Sequence, residues 1–153
     1  MIQKTILQTN NAPSYLGWRE WAALPVLGVR KIKFKVDTGA RTSALHVENM
    51  EIILEAEQSW VQFIVPDCEI ALQQGPVRLP VADRRDIKNS GGNVEHRVVV
   101  HTDIVVGHAR WAIELTLTDR KQMLFPMLLG RKGIPLGWLV DPSRSRIQGK
   151  PHV

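Results

Sequence analysis

The residues with the clearest chemical potential are Asp37-Thr38-Gly39, which interrupt the run "IKFKVDTGARTSALH" at positions 32–46. Ahead of them Ile32, Phe34 and Val36 alternate with Lys33 and Lys35, the period of a strand with one dry and one wet face. A strand that ends on an acid, a hydroxyl and a glycine delivers a carboxylate to a turn. Gly39 leaves space for close backbone approach there, and Ala40 keeps the turn small. Such a carboxylate activates water when a second one stands beside it, because two like charges about 3 Å apart share one proton and supply base and acid together. The tripeptide by itself is too short to fix a function.

The elements that must position it are strands. "EIILEA" and "WVQFIVP" are β-rich runs separated by a few polar residues, and "HRVVVHTDIVV" and "WAIELTLTD" flank the compact turn Gly107-His108-Ala109-Arg110. Helical periodicity is scarce, and nine prolines punctuate the chain at strand-like intervals. The expected class is therefore all-β, with at most a turn or two of helix. The 153 residues, 44% of them hydrophobic, suit one domain over 1–153. Its core is expected over about 16–145, with the first dozen residues and the final "RIQGKPHV" loosely held.

About ninety residues beyond Asp37, "MLFPMLLGRKGI" carries Leu128 and Leu129 into Gly130 and Arg131. An apolar strand into Asp-Thr-Gly-Ala, followed later by apolar-apolar-Gly-Arg, resembles the retropepsins, single-domain aspartic peptidases built on a crossed-loop core, and implies a retropepsin-like (pepsin-type) closed β-barrel with little or no helix. Together "GWREWAALP", "KVDTGARTSALH", the "DRR" at 83–85, "WAIELTLTDR", "MLLGR" and "LVDPSRS" more closely resemble a bacterial retropepsin-like family. Many of its members are labelled ATP-dependent zinc protease, or RimK-associated after a neighbouring glutamate ligase. The resemblance implies Asp37 as catalytic acid, Thr38 as a brace across a dimer and Gly39 as a contact to substrate backbone. It further implies Leu129, Gly130 and Arg131 as supports of the site and "IKNSGGNVEH" as a flap whose tip, Ser90, Gly91 and Gly92, covers the substrate.

One Asp-Thr-Gly occurs, so the resemblance implies a two-fold homodimer with one aspartate from each copy. Where retropepsins carry an acid soon after Asp-Thr-Gly-Ala this chain has Arg41, so Arg131 needs another partner, with Asp83, Asp86 and Asp141 as candidates. Arg41 and Ala40 border the expected cleft, and a free guanidinium at 41 favours acidic peptide segments. Ala40 offers no hydroxyl to the carboxylate pair, which predicts activity nearer neutrality. The two glycines and the proline in "RKGIPLG" limit any helix after Gly130 to a turn.

The charge of +5 suits an anionic partner, but Lys31, Lys33 and Lys35 read as the wet face of a strand rather than a nucleic-acid site. No partner nucleic acid or membrane is expected, and no apolar run reaches the roughly 20 residues of a membrane span. The N-terminus lacks a sustained apolar stretch, which makes the cytoplasm the expected location. His46, His96, His101, His108 and His152 show no zinc spacing and no phosphate-binding glycine loop occurs, so no metal or cofactor is expected. Beside an aspartic endopeptidase stands a second reading, a peptide-binding or ligase-associated module that does not cut; a metalloprotease is a third, without ligand motif. Cys68, the only cysteine, reads as a small buried side chain.

Overall fold

The fold, a computed structural model, describes residues 14–70, 75–119 and 124–153. Its strands are β1 (Tyr15–Gly17), β2 (Arg19–Leu24), β3 (Val29–Asp37), β4 (Ser43–His46), β5 (Glu48–Glu55), β6 (Gln58–Ile64) and β7 (Glu69–Ile70). They continue as β8 (Val77–Pro80), β9 (Asp83–Lys88), β10 (Val94–Val106), β11 (Ala109–Thr118), β12 (Met127–Gly130) and β13 (Leu139–Asp141). The only helical pieces among the described residues are 3-10 turns at Pro25–Leu27 and Arg131–Gly133, so the protein is all-β as expected. Among the described residues no helix is long and apolar enough to cross a membrane.

The largest sheet runs β11-β4-β12-β3-β2-β10-β9, and because β10 also pairs with β11, six of its strands form a closed circuit of hydrogen-bonded neighbours. Alternation decides what fills it. Ile32 and Phe34 of β3, Val98, Val100, Ile104 and Val106 of β10, and Ile113, Leu115 and Leu117 of β11 join Leu16, Leu45, Met127 and Leu129 in one core. The order β3-β12-β4 means that a strand from late in the chain slots between two early ones, the crossed loop implied by the resemblance. β12 runs parallel to β3, with Gly130 opposite Asp37, and antiparallel to β4. β5, β6 and β8 form a separate three-stranded sheet.

The expected hairpins form, one with an unforeseen turn. Ala56 and Glu57, between β5 and β6, have φ of 51° and 64°, the left-handed region that a two-residue turn of this kind requires and that glycine or asparagine usually fills.

The C-terminal segment corrects the expectation of a loose end. Glu20, buried on β2, accepts hydrogen bonds from the backbone N–H groups of Gly17 (2.6 Å), Ile147 (3.0 Å) and Gln148 (3.0 Å). The Gln148 amide donates to the Tyr15 carbonyl at 2.7 Å, and His152 N–H donates to the Gly107 carbonyl at 2.8 Å. A carboxylate buried in the core side of a strand needs such donors, and the tail supplies two of them. The first dozen residues, also expected to be loose, lie outside the described residues.

Candidate active site

β3 ends at Asp37, and the turn beyond it is closed by Ala40 N–H donating to the Asp37 carbonyl at 3.2 Å. Asp37 is half-buried, while Thr38, Gly39 and Arg41 are exposed. An added Cβ at Gly39 would lie 3.4 Å from Asp37 Oδ1, an ordinary van der Waals contact, so the turn sits directly beside the carboxylate.

β12 locks this turn from the side. Arg131 N–H donates to the Ala40 carbonyl at 2.8 Å and Lys132 N–H to the Arg41 carbonyl at 3.2 Å, tying the start of the 3-10 turn to residues 40 and 41. At Gly130 a Cβ would meet the Thr42 carbonyl oxygen at 2.5 Å and its carbon at 2.6 Å, both backbone atoms. Only glycine permits that approach. The Arg131 guanidinium donates to the Thr38 carbonyl at 3.1 Å and more weakly to that of Gly39 at 3.4 Å. This corrects the expected carboxylate partner: backbone carbonyls at the end of β3 take the place of an acid. Each proposed acid is engaged elsewhere, Asp83 with Arg85, Asp86 with His96, and Asp141 with Ser143.

Two supports were missed by sequence reading. Ser43, within the quoted "RTSALH", accepts a hydrogen bond from Gly130 N–H on Oγ at 3.0 Å, while its carbonyl accepts from Thr116 Oγ1 at 2.8 Å. Trp111 donates its indole N–H to the Gly133 carbonyl at 2.8 Å and packs on Trp138. A serine and a tryptophan inside β-rich runs carry no local signal of such a role.

Residues 15–151 match the model of the RimB-like family, described as retropepsin-like aspartic endopeptidase RimB. The chain belongs to that family. A RimB-like chain of this length also resembles a crystallised protein of unknown function from Legionella pneumophila, Lpg0085, with a TM-score of 0.66 and 28% identity over 91% of this chain and 99% of that one. Proteins named probable alpha-L-glutamate ligase are similar as well. That from Shewanella halifaxensis is 42% identical over 90% of this chain, and that from Desulfotalea psychrophila 40% identical over 86%. The RimB-like chain spans only 30% and 29% of the length of these two relatives.

The hairpin expected to be the flap of this RimB-like chain is formed by β9 and β10. Its tip is a turn in which Asn89 N–H donates to the Asn93 carbonyl at 2.9 Å and Gly92 adopts φ of 84°, with Ser90, Gly91 and Gly92 all exposed. Its base is tied to β11 by charge. Arg85, in the "DRR" stretch, donates from Nη1 and Nη2 to Glu114 at 2.6 and 3.1 Å and from Nε to Asp83 at 2.7 Å. Those bonds hold the carboxyls of Asp83 and Glu114 below the usual carboxylate range. On β10, Glu95 accepts from Arg97 and from Thr118 Oγ1 at 2.6 Å.

Among the described residues no group of three or more His, Cys, Asp or Glu gathers closely enough to hold a metal ion. His46 lies 3.6 Å from both Glu48 and Asp119, His96 pairs with Asp86, His101 stands 3.7 Å from Glu114, and His108 stacks on His152. Cys68 is half-buried, and that burial, aided by Asp67, pushes its thiol up to about 11, far from a reactive thiolate.

Proposed function

We propose that this chain is an aspartic endopeptidase whose site is completed by a second copy of itself. The observation that carries the reading is the single carboxylate, Asp37, held half-buried between a glycine turn and the Gly130-Arg131 brace at an otherwise exposed strand end. One carboxylate is half of an acid–base pair. A two-fold partner supplies the other from the same position, with Thr38 and Gly39 of both copies meeting around it.

With the pair assembled and one proton shared, the ionised Asp37 takes a proton from a water held between the carboxylates. The water oxygen attacks the peptide carbonyl carbon, and the protonated Asp37 gives its proton to the carbonyl oxygen, leaving a neutral gem-diol. In the collapse, the Asp37 that took the water's proton gives it to the amide nitrogen, the other Asp37 takes back a hydroxyl proton from the gem-diol, and the C–N bond breaks as the carbonyl re-forms. The substrate lies extended as an added strand beneath the Ser90-Gly91-Gly92 tip. Arg41, exposed and in no ion pair among the described residues, favours acidic segments.

A ligase-associated, non-cleaving peptide-binding module is the second reading. The observation behind it is that several relatives carry this segment within longer chains named probable alpha-L-glutamate ligase. A ligase partner and a glutamate-bearing peptide fit both readings.

The experiment is digestion of a mixed peptide library that includes glutamate-rich members, at mildly acidic and neutral pH, read by mass spectrometry. Asp37→Asn protein and a chelator run alongside. Cuts that vanish with Asp37→Asn and survive the chelator are expected. Binding of glutamate-rich peptides without any cut favours the module, and cuts lost to the chelator but kept by Asp37→Asn defeat both.

A further inference from the structure

We propose that the wet face of β2 and β3 is a cation track that binds an acidic peptide in extended form and leads it to Asp37. The proposal rests on the peptidase reading for its destination, but the track is a binding site in its own right.

The track follows from strand parity. Lys31, Lys33, Lys35 and Asp37 are alternate residues of β3, so their side chains leave the same face, opposite to the buried Ile32 and Phe34. Antiparallel β2 adds Arg19 opposite Lys35 and Trp21 opposite Lys33. The tail, held by Glu20, brings a fifth cation to this face, with the Arg146 guanidinium 4.2 Å from the centre of the Trp21 ring and Lys31 Nζ 4.3 Å from the same ring. Arg19 lies over Trp18 at 4.8 Å, and Lys33 over Phe125 at 5.6 Å.

These five cations lack acidic partners. All fifteen Asp and Glu residues of the sequence fall among the described residues, and none forms an ion pair with Arg19, Lys31, Lys33, Lys35 or Arg146. Glu20 points to the opposite, buried side of β2, and Glu69, opposite Lys31 in register on β7, stays out of ion-pair range. The Arg19 Nε is buried with no hydrogen-bond partner. Four arginines elsewhere do have acidic partners, Arg78 with Glu55, Arg85 with Glu114, Arg97 with Glu95 and Arg110 with Asp103, but none of the five on this face does. Unpaired like charges on two adjacent strands repel, so an anion on this face is favoured.

The spacing selects the anion. Alternate strand residues stand about 6.6–6.8 Å apart, the same repeat as alternate side chains of an extended peptide laid alongside. Glutamates at every second position of such a peptide meet Lys31, Lys33 and Lys35 in turn. A single-stranded nucleic acid needs open aromatic faces for its bases, and here Trp18, Trp21 and Phe125 are already covered by the protein's own cations.

The test is fluorescence anisotropy with a fluorescein-labelled glutamate decapeptide, using Asp37→Asn protein so that the probe stays intact. Exposed pairs of this kind are each worth up to about 1 kcal/mol, so K33Q or K35Q weakens binding about threefold to fivefold and K31Q/K33Q/K35Q about tenfold or more. K150Q, which removes the same charge elsewhere, changes it by less than about 1.5-fold. In the protein without these lysine changes, the indole N–H signals of Trp18 and Trp21 shift as the peptide is added and that of Trp60, on β6, does not.

Equal losses for K150Q and K33Q, unmoved Trp18 and Trp21 signals, or no binding overturn the track. So does a thymidine decanucleotide that binds more tightly through the same lysines. Peptide binding through these lysines in a protein that never cuts leaves the track standing and removes the peptidase. Cleavage of glutamate peptides that ignores K33Q and K35Q does the reverse.

Discussion

Glu20→Ala tests how the tail is held and, through Arg146, how the cation face is assembled. The buried carboxylate accepts three backbone N–H groups, those of Gly17 and Ile147 on Oε2 and that of Gln148 on Oε1. Hydrogen bonds to a charged group are worth about 1.5–3 kcal/mol each, but after truncation the two partly buried tail donors regain water. The Gly17 donor is buried and stays unpaired, because its surroundings are filled by the Arg144 carbonyl and Ser145. The expected net loss is therefore about 3 kcal/mol, a fall of roughly 6–12 °C in Tm for a chain of this size. Glu20→Gln keeps one acceptor oxygen for Gly17 and Ile147 and turns an amide N–H toward Gln148, so it loses about 1 kcal/mol. Thermal unfolding by circular dichroism, with hydrogen exchange of the Ile147 and Gln148 amides, reads both variants. A drop below about 2 °C for Glu20→Ala with both amides still protected would refute the reasoning.

Gly130→Ala drives a methyl into the Thr42 carbonyl and is expected to cost about 3 kcal/mol and to displace the turn that carries Asp37. Denaturant unfolding checks it; an alanine variant of unchanged stability contradicts the crossed-loop packing. Glu57→Gly relieves one left-handed residue of the β5–β6 turn and should raise stability by about 1 kcal/mol, read as a higher denaturant midpoint. The acid limb of stability depends on Arg85. Because Glu114 and Asp83 titrate below their ordinary values when folded, their contribution is complete above the unfolded carboxylate range of about 4–4.5 and is lost as pH falls through the folded values. Glu114→Gln lowers Tm at neutral pH and flattens the decline below about pH 4.5; an unchanged decline argues against the pairing.

The alternation in "IKFKVDTGA" and the two β-branched hairpins were legible because a strand's two faces differ in solvent, and sequence records that difference directly. The crossed loop was reached only through resemblance: nothing local says that Met127–Gly130 slots between β3 and β4. Gly130 illustrates the limit, since its need for glycine comes from Thr42, 88 positions away in the chain. A guanidinium reads in sequence as needing an acid because charge pairs with charge, yet exposed carbonyls at a strand end serve Arg131 equally well. The tail looked loose because "RIQGKPHV" has little apolar content, and its anchor is a carboxylate on β2 whose burial depends on tertiary packing. Likewise, lysines at 31, 33 and 35 share the pattern of any wet strand face, and their lack of acidic partners depends on where the acids lie in space, which the sequence does not record.

The central claim is that Asp37 works as a pair drawn from two copies. Its most direct measurement is peptide cleavage across mixtures of wild-type and Asp37→Asn protein at constant total concentration, after the copies have exchanged. A shared pair makes activity follow the square of the wild-type fraction, leaving about one quarter at equal amounts, because only two wild-type copies carry two carboxylates. A linear fall to about one half contradicts it and places the whole chemistry within one chain.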